Sequence, residues 1–316
     1  MNLSAEEALP VTSSGFLNYL RTLLILGRVS NLPTVWSNLI VGWLLVGKRD
    51  NEHLTAQLLL GGSLLYIGGM YLNDFCDAAF DTAHCSQRPI PAGKISRTMV
   101  GLLAVLWFAL ALACLVPFGT ATTIMTFLLL GAIALYDFHH KDVVWAPLLM
   151  GVCRFLLYFL ASSTVNADIF QPVVLQAAAP LALYVAGITY LARGESRPQK
   201  PVRWALILLL LPVLVSFLFC YHNLVLGVYS LILFWWVPHG VVWFWAIFLA
   251  WLLWLLVPFW RKTKPSLGRV VSGLLAGIVL VDLIAITPFQ AGEGGAILFI
   301  PLFLLSLVLQ RFIPAT

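Results

Sequence analysis

Apolar runs of about 20 residues recur from about residue 30 to the C-terminus, and this repetition constrains the fold more than any other feature of the chain. In the hydrocarbon core of a bilayer no water satisfies the backbone, so each crossing must pair its own amides and carbonyls as a helix or join a closed barrel. Continuous apolar runs of this length select helices. Spans are expected at 30–47, 54–73, 98–117, 119–136, 143–161, 172–190, 203–221, 240–259, 270–287 and 296–311. The expected fold is all-α, a polytopic transmembrane bundle of about nine to ten spans over residues 28–316, preceded by a cytoplasmic tail and interfacial lead-in at 1–27. The lead-in, Gly15 to Arg28, sets Arg21 and Arg28 beside Leu17, Leu20, Leu23 and Leu24, the pattern of a helix lying in the membrane interface.

A composition of 61% hydrophobic and 10% charged residues fits only a membrane protein. A net charge of +5 would suggest anionic partners in a soluble domain; here the bases sit in short loops, where they set orientation, and no nucleic-acid binding is read from them. Five cysteines at scattered positions, without a CxxC pair, indicate free thiols. Met1 to Ser14 lacks the charged-then-apolar order of a signal peptide.

The bases also count the crossings. They crowd around Arg88, Lys94 and Arg97, at Lys141, around Arg193, Arg197, Lys200 and Arg203, and at Arg261, Lys262, Lys264 and Arg269. If these loops share the cytoplasmic side, an even number of crossings lies between 203 and 260. Two fit there, with Leu224 to Pro238 as a re-entrant or interfacial piece, and three do not.

The chemistry concentrates after the second span. Asn73-Asp74-Phe75-Cys76-Asp77-Ala78-Ala79-Phe80-Asp81 carries three of the thirteen acids of the chain at spacings of three and four. On a helix, Asp74, Asp77 and Asp81 share one face. Such acids at a membrane mouth repel one another and need a cation, and clustered oxygens favour Mg²⁺ bridging carboxylates to substrate phosphates. The loop Arg88-Pro89-Ile90-Pro91-Ala92-Gly93-Lys94 and the ends of the fourth and sixth spans, around Tyr136 to Asp142 and Tyr190 to Arg197, are expected on the same side. Together they suit a phosphorylated lipid. Within the spans, Arg154 and Asp282 are costly charges that need partners; Arg154 either snorkels or meets substrate. Gly61-Gly62 and Gly68-Gly69 read as close helix packing, and the tryptophans of 235–260 as belt and lipid-facing residues.

Asn73-Asp74-x-x-Asp77-x-x-x-Asp81, followed by Arg88-Pro-Ile-Pro-Ala-Gly93 and preceded by Arg28-x-x-Asn31-x-Pro33, resembles the first signature of the UbiA superfamily of intramembrane prenyltransferases, over roughly residues 25 to 290. The resemblance implies an integral protein of the bacterial inner membrane, with N-terminus and active-site loops cytoplasmic, that moves an isoprenyl group from an isoprenoid diphosphate to a lipophilic acceptor. It implies Mg²⁺ held by Asp74, Asp77 and Asp81. Asn73, Arg28, Arg88, Tyr136, Lys141, Arg154, Tyr190, Arg193 and Arg197 are the candidates for binding substrate, and Glu195 joins the acids as a catalytic candidate, either for a second metal or as a base.

Two departures stand out. Where the family has Lys-Arg after Tyr136, this chain has His140-Lys141. In place of a second DxxxD, the loop after span six offers Glu195 within Ala-Arg-Gly-Glu-Ser-Arg, which resembles the divergent Ebo-type branch. A terpene cyclase, quenching the cation within its own chain, is therefore the alternative reading, and a lipid transporter a remote one.

Overall fold

The computed structural model describes residues 13–47, 52–139, 143–168, 170–196, 204–225, 231–260, 267–289 and 292–315, and among them every regular element is helical. In chain order these are α1 (Ser13–Leu26), α2 (Leu32–Leu44), α3 (Glu52–His84), α4 (Arg97–Leu115), α5 (Thr120–His139), α6 (Ala146–Ser163), α7 (Pro172–Ser196), α8 (Ala205–Val225), α9 (Leu231–Trp260), α10 (Leu267–Ala276), α11 (Ile278–Ile286) and α12 (Gly292–Phe312).

Among the described residues eight helical stretches are long and apolar enough to cross a membrane, and they correspond to the second through ninth expected spans. The first is shorter, and the tenth lies in α12, a helix of 21 residues. Residues 30–47 resolve into a 3-10 turn, Val29–Asn31, and the 13-residue α2, whose Pro33 occupies the first turn, where no backbone donor is lost. The tenth has a described apolar stretch of Leu298–Phe312. Between α7 and α10 the described residues form two helices, α8 and α9. The re-entrant alternative is not what the described part of that region forms: from Leu231 the chain is one continuous helix.

Burial sorts the helices into an inner and an outer set. In Leu267–Ile286, 78% of the apolar stretch is buried, and in Ala146–Ser163 67%, against 22% in Arg97–Phe118 and Val241–Pro258. Trp243 and Trp254 of α9 face outward, as expected of lipid-facing tryptophans, whereas Trp251 turns in and donates to the Gly273 carbonyl at 3.1 Å. On α1, Phe16, Leu17, Tyr19 and Leu20 are exposed, and the Tyr71 hydroxyl of α3 donates to the Leu23 carbonyl at 3.0 Å, docking this lead-in beside the bundle.

Close approach needs missing side chains. A Cβ on Gly42 would overlap the Tyr158 carbonyl, and one on Gly151 the Ala182 carbonyl, so α2, α6 and α7 meet backbone to backbone. Gly61, Gly62 and Gly68 of α3 likewise accommodate Leu115, Leu39 and Phe108, which bears out the packing role expected of these glycines. All five cysteines are free thiols.

Candidate active site

The acid-rich segment is the last part of α3, a single helix of 33 residues and about 50 Å that carries the second span onward past the apolar core. Its periodicity places Asp74, Asp77 and Asp81 inward, all buried together with Asn73.

Arginines hold these acids from two sides. Arg28, in the turn between α1 and α2, donates through Nη2 to Asp74 Oδ1 at 3.1 Å and to Asn73 Oδ1 at 3.2 Å, while its Nη1 meets Met70 Sδ at 3.6 Å. Arg88 donates through Nη1 to Asp81 Oδ2 at 2.8 Å and lies 3.8 Å from Asp74 Oδ1. Burial alone would lower the Arg28 pKa, but Asp74, Tyr66, Tyr136 and Asp77 outweigh it and raise it, so the guanidinium stays charged.

Each arginine is set by its local backbone. Among the described non-glycine residues Arg28 alone has a positive φ, 41° with ψ 47°, a left-handed conformation that costs of order 1 kcal/mol. Strain of this kind persists where surrounding contacts over-determine it, and here those contacts are Asn73 and Asp74. Arg88 opens a compact turn: the Ala92 amide donates to the Arg88 carbonyl at 2.9 Å, Gly93 to Ile90 at 3.0 Å and Lys94 to Pro89 at 3.0 Å. Gly93 has φ +68°, a value that L side chains resist, which is why glycine closes the Pro-x-Pro-x-Gly sequence.

The three expected loop regions are tied together. The Asn73 side-chain amide donates to Asp137 Oδ1 on α5 at 3.0 Å. Arg193 on α7 donates to the carbonyls of Val143 at 2.7 Å and Val144 at 2.9 Å, joining α7 to the connection between α5 and α6. Through these bonds Arg193 ties α7 to that connection. Tyr190 packs edge-on against Trp204, with ring centroids 4.4 Å apart, at the corner between α7 and α8. Lys141 and Arg197 lie outside the described residues, as does the side chain of Glu195.

Beneath the acids, a cavity of about 70 Å³ opens between α3, α5 and α6, with Tyr66, Met70, Tyr136, Asp137 and Arg154 among its lining. Arg154 does not snorkel. Its Nη1 donates to Asn38 Oδ1 at 2.8 Å, and its guanidinium lies 5.7 Å from the centre of the Tyr66 ring. Asp282 also finds partners: the Asn38 amide donates to both of its oxygens, at 3.0 and 2.8 Å, and the Tyr158 hydroxyl donates to the same carboxylate. Asn38, Tyr66, Asp137 and Tyr158 were not among the residues expected from sequence; the available signal was a polar group within an apolar run.

Among the described residues no three His, Cys, Asp or Glu side chains converge as a ready-made metal cage. Asp74 and Asp81 are seven residues apart, about 10 Å along the helix. Carboxylates on one face, already balanced by arginines, suit an Mg²⁺ ion that takes one or two protein oxygens and the remainder from phosphate and water.

The model of the UbiA prenyltransferase family matches residues 31–270. A 4-hydroxybenzoate octaprenyltransferase of Idiomarina loihiensis is 32% identical over 124 residues, covering 38% of this chain and 42% of that protein. Another, of Photobacterium profundum, is 28% identical over 130 residues, 39% and 44% of the two chains. The match thus spans less than half the length of these curated relatives. Among solved structures, a UbiA homologue from Archaeoglobus fulgidus bound to GPP and Mg²⁺ superposes with a TM-score of 0.51 at 14% identity, over 92% of this chain and 97% of that one. A digeranylgeranylglyceryl phosphate synthase structure gives 0.50 at 14% identity, over 94% and 99%. At such identity the likeness establishes the fold.

Proposed function

The chain belongs to the UbiA prenyltransferase family, and from that premise we propose that it is an integral membrane enzyme transferring an isoprenyl group from an isoprenoid diphosphate to a lipophilic acceptor, with Mg²⁺ as cofactor. The observation that carries this reading is the joint grip of Arg28 and Arg88 on Asp74 and Asp81 beside a largely apolar cavity. Acids and bases are interleaved there as a metal and a diphosphate would require. GPP and Mg²⁺ in the Archaeoglobus homologue, and the prenyltransferase activity named for the curated relatives, support the same chemistry.

In this reading Asp74 and Asp77 hold the metal and Asp81 holds Arg88. Bound Mg²⁺ supplies neutralisation of the charge that develops on the departing diphosphate. Arg28 and Arg88 grip diphosphate oxygens, two at a time where the guanidinium fork allows. Asn73, fastened to Asp137, fixes the rotation of the acid face. The allylic carbon to oxygen bond breaks with its electron pair on the diphosphate, the acceptor bonds to the freed carbon, and the displaced proton passes to a diphosphate oxygen. The apolar walls exclude water, which would otherwise capture the cation.

A terpene cyclase, which quenches the cation within its own chain, is the second reading, and the two part on whether turnover needs an acceptor. The basic loops support a cytoplasmic face for the site, and the bacterial inner membrane is part of the same proposal.

The deciding experiment is pyrophosphate release by the purified protein in nanodiscs with geranyl, farnesyl and geranylgeranyl diphosphates, with and without Mg²⁺ and with aromatic acceptors. Mg²⁺-dependent release coupled to a prenylated acceptor is expected. Release with a cyclic terpene and no acceptor would establish the cyclase.

A further inference from the structure

The flank where α1 meets the bundle carries two charges that the transfer steps leave unused. α1 docks through its second half: Leu26 is fully buried in one apolar cluster with Tyr71 and Ile95, against which Leu23 and Ile90 also pack. Ile90 belongs to the compact turn that Arg88 opens, so α1 and that turn share a core. Beside this core lies an open groove of about 600 Å³, lined by Asn18, Tyr19, Arg21 and Thr22 of α1 and by Lys94, which closes the turn.

Arg21 and Lys94 are exposed, and among the described residues neither side chain has a hydrogen-bond or ion-pair partner. No acid is among the described residues of the lining. Phe16, Leu17 and Leu20 of the same helix are exposed as well, so α1 offers apolar side chains to acyl chains and bases to the level of the headgroups. We propose that the groove binds the phosphate of an anionic phospholipid between Arg21 and Lys94, and that the bound lipid steadies the turn that carries Arg88. The lipid site stands on its own geometry; its effect on substrate rests on the prenyltransferase reading.

Charge complementarity selects this occupant. A phosphodiester is held by bases and neutral donors alone, which Arg21, Lys94, the Asn18 amide and the Tyr19 hydroxyl supply. A metal diphosphate needs carboxylates for its metal, and Asp74, Asp77 and Asp81 do not line the groove. The consequence follows from connectivity. A phosphate bridging Arg21 and Lys94 ties α1 to the turn, and the same turn holds Arg88 on Asp81 at 2.8 Å.

Native mass spectrometry of the full chain, released from nanodiscs of mixed phosphatidylcholine and phosphatidylglycerol, counts the lipid that stays bound. Wild type is expected to retain phosphatidylglycerol over phosphatidylcholine at least tenfold. Arg21→Gln and Lys94→Gln are each expected to lower that preference at least threefold, and Arg311→Gln, which removes an exposed base of α12, to change it less than twofold. All three side chains are exposed, so folding is not at stake. Geranyl S-thiolodiphosphate with Mg²⁺ is expected to bind wild type at least threefold more tightly when phosphatidylglycerol is present, and the Arg21→Gln/Lys94→Gln variant equally in both membranes. Equal retention of the two lipids by wild type, or an unchanged preference in either groove variant, overturns the proposal. So does an equal loss in Arg311→Gln, which would reduce the effect to general surface charge, or displacement of phosphatidylglycerol by the thiolodiphosphate, which would assign the groove to substrate. Thiolodiphosphate affinity that ignores the lipid overturns the link to Arg88. Failure of wild type to bind the thiolodiphosphate in any membrane would instead remove the prenyltransferase reading, with lipid retention still deciding the site.

Discussion

Arg28 reaches Asp74 across 3.1 Å from a backbone held in the left-handed region, so the ion pair and the strained turn depend on each other. Lysine at this position keeps a charge but cannot hold Asn73 and Asp74 together. Arg28→Lys should lower kcat/KM for the prenyl diphosphate by about tenfold, about 1.4 kcal/mol in the barrier. Steady-state pyrophosphate release measures it, and unchanged kcat/KM would assign Arg28 a purely structural role.

In the proposed mechanism Asp74 and Asp77 serve the ligand. Asp74→Asn and Asp77→Asn, which keep shape and hydrogen bonding but lose charge, should abolish diphosphate release while the protein still elutes as a folded species on size exclusion. Turnover in both variants would remove the acid face from the mechanism.

Chelation offers a test without mutation. A site whose carboxylates do not form a cage by themselves binds metal mainly as the metal diphosphate complex. EDTA should therefore stop turnover completely and reversibly, with full recovery on adding Mg²⁺ and little change in melting temperature without substrate. A large melting shift on EDTA alone would indicate a structural metal instead.

Asp282 and Arg154 are coupled through Asn38. Removing one charge strands the other in a low-dielectric core, so Asp282→Leu should destabilise by about 3–5 kcal/mol. Arg154→Met in the same chain should recover part of that loss. A coupling energy in the range of about 0.5–3 kcal/mol is expected from a double-mutant cycle in denaturant, and strict additivity would mean that the two do not communicate.

Gly42 sits where α2 meets the Tyr158 carbonyl, leaving no space for a methyl group. Gly42→Ala should cost about 1–3 kcal/mol by forcing the helices apart. An alanine variant with native stability would show that the two helices yield easily.

The class, the order of the spans and the acid face were legible in the chain before any fold was known. Those follow from local periodicity: an apolar run of 20 residues crosses a bilayer wherever it lies, and acids at positions 74, 77 and 81 share a helix face before any tertiary contact forms. The surroundings of each charge were not legible there. Arg193 and Arg154 are equally conspicuous in the sequence, yet one bonds the Val143 and Val144 carbonyls and the other is turned into a cavity by Asn38 and Asp282. The reason is physical: the partner of a buried charge is chosen by how helices distant in sequence pack, and backbone contact between α2 and α6 at Gly42 is a property of both helices together.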